Sequence, residues 1–314
     1  MNKKRILSEE AFQKRINQIL DLIESKGWDE SKQFLLLEFP EIYKKIFDPF
    51  KADWLYLLPI SEMDTVLNLE SGWNSLSFLL ARVCKSVFSI DTVFERIKFI
   101  NLRIRHEKVL NLSPIMGDIL NLPFSPSSFN LIVMDGGLKQ IGTLDVENDP
   151  LEVQKNLLRQ IFDLLKEEGY LYLRMENRYK IDFILRGKDS SGLQFINLMP
   201  RTIANLYTKI IKGEPYRAYV HSYFGYRRLL REAGFKNIQF YAPIPSYSSP
   251  IFIIPLDKRN ISTYFFKYIL SRQSIKWKIM VFLARVGASI GIYPYITPYF
   301  IIIAKKSSYG LGRQ

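Results

Sequence analysis

A chain of 314 residues that is 47% hydrophobic, 14% aromatic and 24% charged carries enough apolar surface for one large core or two unequal ones, which argues against a disordered chain. Its 44 Lys and Arg against 31 Asp and Glu give a formal net charge of +13, which favours polyanions, whether nucleic acid, anionic lipid or acidic glycan, without choosing among them. A single cysteine, Cys84, excludes an internal disulfide framework and a thiolate zinc cluster, and two histidines, His106 and His221, argue against a multi-histidine metal site.

The start Met1-Asn2-Lys3-Lys4-Arg5 has no apolar signal-peptide core behind it, which predicts a cytoplasmic protein. Residues 8–48 read as mostly helical: Phe12, Ile16, Ile19, Leu20 and Ile23 recur at helical spacing, and Gly27 ends the first run before Asp29 caps a second. After the Asp48-Pro49-Phe50 turn, Thr65-Val66-Leu67-Asn68-Leu69 reads as a buried strand. Short apolar runs then alternate with helical ones: 86–90, helix 94–108, 113–116, 130–134, helix 151–166 and 170–175. That alternation predicts βαβ units and a parallel sheet covered on both faces. A helix over 225–233, a strand over 237–241 and a closing apolar run, 300–304, complete the pattern.

Two connections are longer than such units need: 176–222, read as a lid insertion, and 243–298, read as a cap. The predicted organisation is an N-terminal helical lead-in (1–60), a main domain (61–245) with its lid, a basic aromatic cap (246–298), and a closing strand and tail (299–314).

In an open α/β sheet the ligand sits at the carboxyl ends of the strands. Four loops qualify. The first, Asn68-Leu69-Glu70-Ser71-Gly72-Trp73-Asn74-Ser75, retains one glycine. The second is Asp91, whose carboxylate suits both hydroxyls of a ribose or, alternatively, the start of the following helix. The third is Gly117-Asp118 before Leu122-Pro123-Phe124, where Asp118 suits an adenine amino group with apolar neighbours flanking the ring. The fourth is Met134-Asp135-Gly136-Gly137, a glycine-lined turn with one carboxylate placed to face a transferred group or the substrate.

The order of Val66-Leu67-Asn68-Leu69, Asp91, Gly117-Asp118, Leu122-Pro123-Phe124 and Phe129-Asn130-Leu131-Ile132-Val133 resembles class I S-adenosylmethionine-dependent methyltransferases acting on small molecules, over roughly residues 62–175. Leu164-Leu165-Lys166-Glu167-Glu168-Gly169-Tyr170 resembles that family's helix and fifth strand. A narrower resemblance runs through Glu176-Asn177-Arg178-Tyr179, Leu198-Met199-Pro200-Arg201 and Tyr226 to Gly234-Phe235, on to Tyr241-Ala242-Pro243-Ile244-Pro245. It is to bacterial methyltransferase-domain proteins that occur with surface-polysaccharide and natural-product biosynthesis. The resemblance implies a Rossmann-like, mostly parallel sheet with an antiparallel last strand. It also implies S-adenosylmethionine as cofactor, with Gly72 and its neighbours at the methionine part, Asp91 at the ribose and Asp118 at the adenine. Where the family carries an acidic residue and three glycines, this chain has Asn68, Glu70, Gly72 and Asn74, so two glycine positions now carry side chains. Asn74 tolerates left-handed backbone, whereas Glu70 either pairs with the cofactor's sulfonium or amino group or fills its space.

Methyl transfer is an in-line displacement, so alignment does most of the work and a base is needed only for an acceptor that holds a proton. His221, Glu176 and Asp135 are the candidate bases for a hydroxyl acceptor; a carboxylate acceptor needs none. His106, at a helix tail, reads as solvated.

Over 261–305, Tyr264, Phe265, Phe266, Tyr268, Trp277 and Phe282 mix with Lys267, Arg272, Lys276, Lys278 and Arg285, which suits docking of 261–298 on an anionic membrane, at the inner face, or an ordinary cap helix. Arg285, Pro294 and Pro298 interrupt the apolar stretch and argue against a span. The leading expectation is methylation of a hydroxyl or carboxylate on a small-molecule, glycan or natural-product-type substrate. The rivals are a catalytically decayed binding or scaffold protein, its pocket closed by Glu70 and Trp73, and an RNA methyltransferase. The last is disfavoured: no Asn-Pro-Pro-Tyr-like motif follows the fourth strand and no RNA-binding module is appended.

Overall fold

The computed structural model describes residues 16–48, 51–69, 73, 75–180, 183, 187–189, 191–244, 250–269, 282 and 284–307. Its strands are β1 (Thr65–Leu69), β2 (Ser86–Asp91), β3 (Leu112–Met116), β4 (Phe129–Asp135), β5 (Leu165–Glu176), β6 (Asn237–Ile244), β7 (Phe252–Pro255) and β8 (Tyr299–Lys305). They form one eight-stranded sheet in the order β3-β2-β1-β4-β5-β8-β6-β7. By compactness the chain divides into two units, Met1–Phe124 with Phe129–Val133, and Ser125–Ser128 with Met134–Gln314.

In the first unit β1 pairs parallel with β2, and β2 with β3, in a register that sets Leu69 beside Ile90 and Asp91 beside Met116. The three strands therefore end together. Val66, Leu67, Leu69, Val87 and Ile90 are buried, the continuous apolar character of strands covered on both faces. The lead-in is helical as expected: α1 (16–26) buries Ile16, Ile19, Leu20 and Ile23, and α2 (Trp28–Glu38) and α3 (Pro40–Phe47) follow. One detail differs. Gly27, at φ 80°, is itself the N-cap of α2, and Asp29 lies in the first turn, where its charge favours the helix dipole without capping.

Helix α4 (Ser75–Leu80) follows β1, and α5 (Phe94–Glu107) follows β2. From α5 the buried Arg103 fastens the lead-in. Its Nη1 donates to the Ile46 carbonyl at 2.7 Å, its Nε to Glu107 at 2.8 Å, and its guanidinium lies 3.8 Å from the Phe78 ring centroid. Burial lowers its pKa, against the Glu107 carboxylate that supports the charge. His106 is exposed as expected, yet its ring stacks on Trp28 at 5.4 Å.

In the second unit β8 runs antiparallel to β5, from Tyr170 opposite Lys305 to Glu176 opposite Tyr299, and antiparallel to β6 on its other side. The closing strand is thus the reversed one. β7 adds an outer antiparallel strand on β6, with Tyr241 opposite Pro255, a pairing that the short, proline-ended sequence did not announce. Helix α6 (Pro150–Leu164) stops earlier than its periodicity suggests, and β5 begins at Leu165 where the sequence predicts a strand from 170. The tail of β8 draws these residues in: Glu168 N–H donates to the Lys306 carbonyl, Lys306 N–H to Gly169, and Lys306 Nζ to the Leu165 carbonyl.

The 176–222 insertion has a small core of Ile196, Ala204, Tyr216 and Ala218, and carries α7 (Arg201–Lys212). Helix α8 (Tyr223–Glu232) starts on Ser222, which accepts from Gly225 N–H. In the cap, α9 (Arg259–Ile269) buries Phe266 against Tyr293 and packs Phe265 on Phe252, leaving Ile261 and Tyr264 exposed. Arg272, Lys276, Trp277 and Lys278 lie outside the described residues. Among the described residues no helix is long and apolar enough to cross a membrane.

Candidate functional site

The cofactor candidates of the first unit gather at the shared carboxyl edge of β1, β2 and β3. Asn68, buried on β1, donates from Nδ2 to Ser77 Oγ on α4 at 2.8 Å and sits opposite Ser89 of β2. Asp91 ends β2 and is 5% exposed. Its Oδ1 accepts from Val93 N–H at 2.9 Å, and Arg96 Nη1 approaches Oδ2 at 3.2 Å. Of the two readings of Asp91, the structural one is visible: it shapes the turn into α5.

Gly117 lies directly beside it, its N–H donating to the Asp91 carbonyl at 3.2 Å. A side chain here would bring its Cβ to 2.9 Å from Ile90 Cδ1. Asp118 is exposed and organises its own turn, accepting from Leu120 N–H at 2.9 Å and from Asn121 Nδ2 at 2.7 Å. Glu70, Gly72 and Asn74 lie outside the described residues. Trp73 packs edge-on against Phe99 of α5 at 5.7 Å.

Two buried hydroxyls, Ser75 Oγ and Ser89 Oγ, lack a hydrogen-bond partner among the described residues. Ser89 is the register partner of Asn68, and Ser75 opens the helix to which Asn68 is tied. Ser89 lies within β2 and Ser75 on α4, so both hydroxyls lie close to Asn68, while Asp91 and Gly117 mark the ends of β2 and β3.

The catalytic candidates belong to the second unit, and each has a committed partner. Asp135, at the end of β4, meets Arg174 of β5 in a two-point contact, Nε to Oδ1 and Nη2 to Oδ2, both 2.5 Å. Glu176, at the end of β5, accepts from Lys139 Nζ at 2.9 Å and Lys180 Nζ at 3.3 Å. Burial alone would raise its pKa, but the two ammonium groups outweigh it and hold the carboxyl below its ordinary value. Such a carboxylate is a weak base.

His221 is arranged differently. Its Nε2 lies 2.7 Å from Gln154 Oε1, while Gln154 Nε2 donates to the carbonyls of Leu138 at 2.7 Å and Tyr219 at 3.1 Å. Because the amide nitrogen is spent on carbonyls, its oxygen faces the histidine, and Nε2 must carry the proton. Nδ1 then carries the lone pair and has no hydrogen-bond partner among the described residues. Burial first, then the charges of Arg201 and Arg178, push the ring down to about 4, so it is neutral at pH 7. Its backbone is pinned as well: Arg178 N–H donates to its carbonyl at 3.0 Å, and the ring packs on Tyr226 at 5.2 Å.

Sequence reasoning missed Gln154, Arg174, Lys139 and Lys180. Gln154 had a readable signal, since it interrupts the buried stripe Val153, Leu157, Leu158 and Ile161 of α6 and is 0% exposed. A glutamine on such a stripe needs partners.

A family model described as a methyltransferase domain matches residues 60–195. No curated protein matches the sequence. Among solved structures, a SAM-dependent methyltransferase from Methanosarcina mazei is 17% identical, covering 79% of this chain and 94% of that one with a TM-score of 0.44. A protein from Listeria monocytogenes described as a candidate S-adenosylmethionine-dependent methyltransferase is 14% identical, with 84% and 99% coverage and a TM-score of 0.49. The [4+2]-cyclase SpnF is 12% identical, with 83% and 80% coverage and a TM-score of 0.49. Residues 60–195 thus match a methyltransferase domain, and the sheet that carries them has a Rossmann-like strand order.

Proposed function

We propose that this chain transfers a methyl group from S-adenosylmethionine to a hydroxyl or carboxylate of a glycan or natural-product-type substrate. The observation that carries the reading is the convergence of Asn68, Asp91 and Gly117 at three aligned strand ends within the matched domain. Asp91 would hold the ribose hydroxyls, Gly117 and Asp118 would border the adenine, and Asn68, with the unfilled Ser75 and Ser89 hydroxyls, the polar remainder. When bound, the cofactor supplies an electrophilic methyl group on a sulfonium.

In the second unit His221 is the base for a hydroxyl acceptor: Gln154 fixes its tautomer and Nδ1 has no hydrogen-bond partner among the described residues, although in the unliganded fold the ring is a weak base, lowered to about 4. Asp135 and Glu176, both held by cations, position the ends of β4 and β5. The test is methyl transfer to a panel of hydroxyl and carboxylate acceptors, with His221→Gln lowering turnover on hydroxyl acceptors by about 10²-fold or more and sparing carboxylates.

Work at an anionic membrane surface, on the cytoplasmic side, is a second part of this reading. Helix α7 supports it by exposing Ile203, Leu206, Ile210 and Ile211 beside Lys209 and Lys212, as does α9 with Ile261 and Tyr264. Sedimentation with phosphatidylglycerol vesicles but not phosphatidylcholine vesicles is expected, and equal recovery with both would contradict it.

A further inference from the structure

We propose that Arg178 and Arg201 form the receptor for an anionic group, a carboxylate or a phosphate, on the acceptor substrate. The inference rests on the methyl-transfer reading and names the class of molecule that the insertion selects.

Neither guanidinium has a carboxylate at ion-pair distance among the described residues. Arg178 donates from Nε and Nη2 to the carbonyls of Asn197 and Met199, at 2.5 and 2.7 Å. Arg201, two residues beyond Met199, donates from Nη2 to the Tyr216 carbonyl at 2.8 Å and lies over the Tyr219 ring. Its Nε is buried without a partner. Each charge is therefore steadied by neutral groups and leaves donors unspent, and a buried guanidinium N–H without an acceptor is costly.

The acids around them are engaged elsewhere. Glu176 is taken by Lys139 and Lys180, Asp189 accepts from the Tyr216 hydroxyl and from Ser191, and Asp149 caps α6 by accepting from Leu151 N–H. Arg201 is also the first residue of α7, a helix of 12 residues with no side-chain cap and no acid in its first turn. Its free N–H groups add to the positive end of the helix. A planar carboxylate or a phosphate oxygen pair matches the fork geometry of a guanidinium, which a neutral hydroxyl does not.

The two arginines stand next to His221. Arg178 holds its backbone, and the Tyr219 ring beneath Arg201 lies 6.0 Å from the imidazole. The other groups facing it are Gln154, Tyr219 and Tyr226. A bound anion would offset the two positive charges that disfavour imidazolium, so filling this site makes His221 a stronger base. Anion recognition and proton acceptance are then coupled.

The experiment is a nitrogen-15 NMR titration of the full chain with inorganic phosphate, and separately with acetate, at ionic strength held constant with chloride. A saturable shift of the Arg201 Nε–H signal and a rise in the His221 titration midpoint are expected, with phosphate, acetate or both telling which anion fits. In Arg178→Gln and Arg201→Gln the response should weaken at least tenfold. Arg201→Lys, which keeps the charge and loses the fork, serves if a glutamine variant does not fold. No saturable response to either anion, or an undiminished response in folded variants, overturns the proposal. Calorimetry with S-adenosylhomocysteine on the same sample separates the readings: heat there without an anion response sinks the anion site alone, and the converse sinks methyl transfer alone.

Discussion

His221 donates through Nε2 to Gln154 Oε1 at 2.7 Å, and the amide is locked in that orientation by the carbonyls of Leu138 and Tyr219. The contact decides the tautomer of the one half-buried histidine among the described residues and leaves Nδ1 as its acceptor.

The low pKa of His221 makes stability depend on pH. The ring goes from 6.5 in the unfolded chain to about 4 in the fold, so between these values the unfolded chain binds more protons. Its contribution is complete above pH 6.5 and is lost as pH falls toward 4, by up to about 3 kcal/mol. Urea unfolding at several pH values should show this slope in the native chain and a flatter one in His221→Gln.

Arg174 and Asp135 should be worth more as a pair than separately. Both side chains are nearly buried, so Arg174→Ala removes the two-point contact from a nearly buried carboxylate and costs roughly 3–5 kcal/mol. Adding Asp135→Asn should recover part of that loss. A double-mutant cycle by chemical denaturation measures the coupling, and strict additivity would count against a shared contact.

Removing the Arg103 guanidinium should loosen the lead-in. Arg103→Ala deletes the bond to the Ile46 carbonyl and the stack on Phe78, so faster amide exchange is expected in α3, with about 3 kcal/mol lost overall.

Two glycines should respond unequally to alanine. At Gly117 the new Cβ meets Ile90 Cδ1 at 2.9 Å, the end of a movable side chain, whereas at Gly142 it meets Pro150 Cβ at 2.4 Å and the Arg217 carbonyl at 2.8 Å. Gly117→Ala should cost about 1 kcal/mol and Gly142→Ala several times that, read as shifts in melting temperature.

Much of the sheet was legible because parallel strands buried on both faces, such as Val66-Leu67 and Val87, are runs that a sequence shows directly, and β1 falls where Thr65–Leu69 predicts it. The boundary at Leu165 was not, since Lys166 and Glu167 carry helical propensity, while the remote tail of β8 bonds to their neighbours Leu165, Glu168 and Gly169. The candidate acids and histidine were chosen from the sequence, but the partners that hold them in the fold were not. Arg174, Lys139 and Lys180 are ordinary basic residues until folding brings them to Asp135 and Glu176. Likewise Arg178 and Arg201 were visible as motif residues, but that no carboxylate among the described residues pairs with them is a property of three dimensions.

The proposed cofactor site at the ends of β1, β2 and β3 bears most directly on function. Calorimetric titration of the purified full chain with S-adenosylmethionine and S-adenosylhomocysteine should give saturable heat, weakened at least tenfold by Asp91→Ala in a chain that still melts cooperatively. Absence of heat with both ligands, or undiminished affinity in Asp91→Ala, would contradict the account.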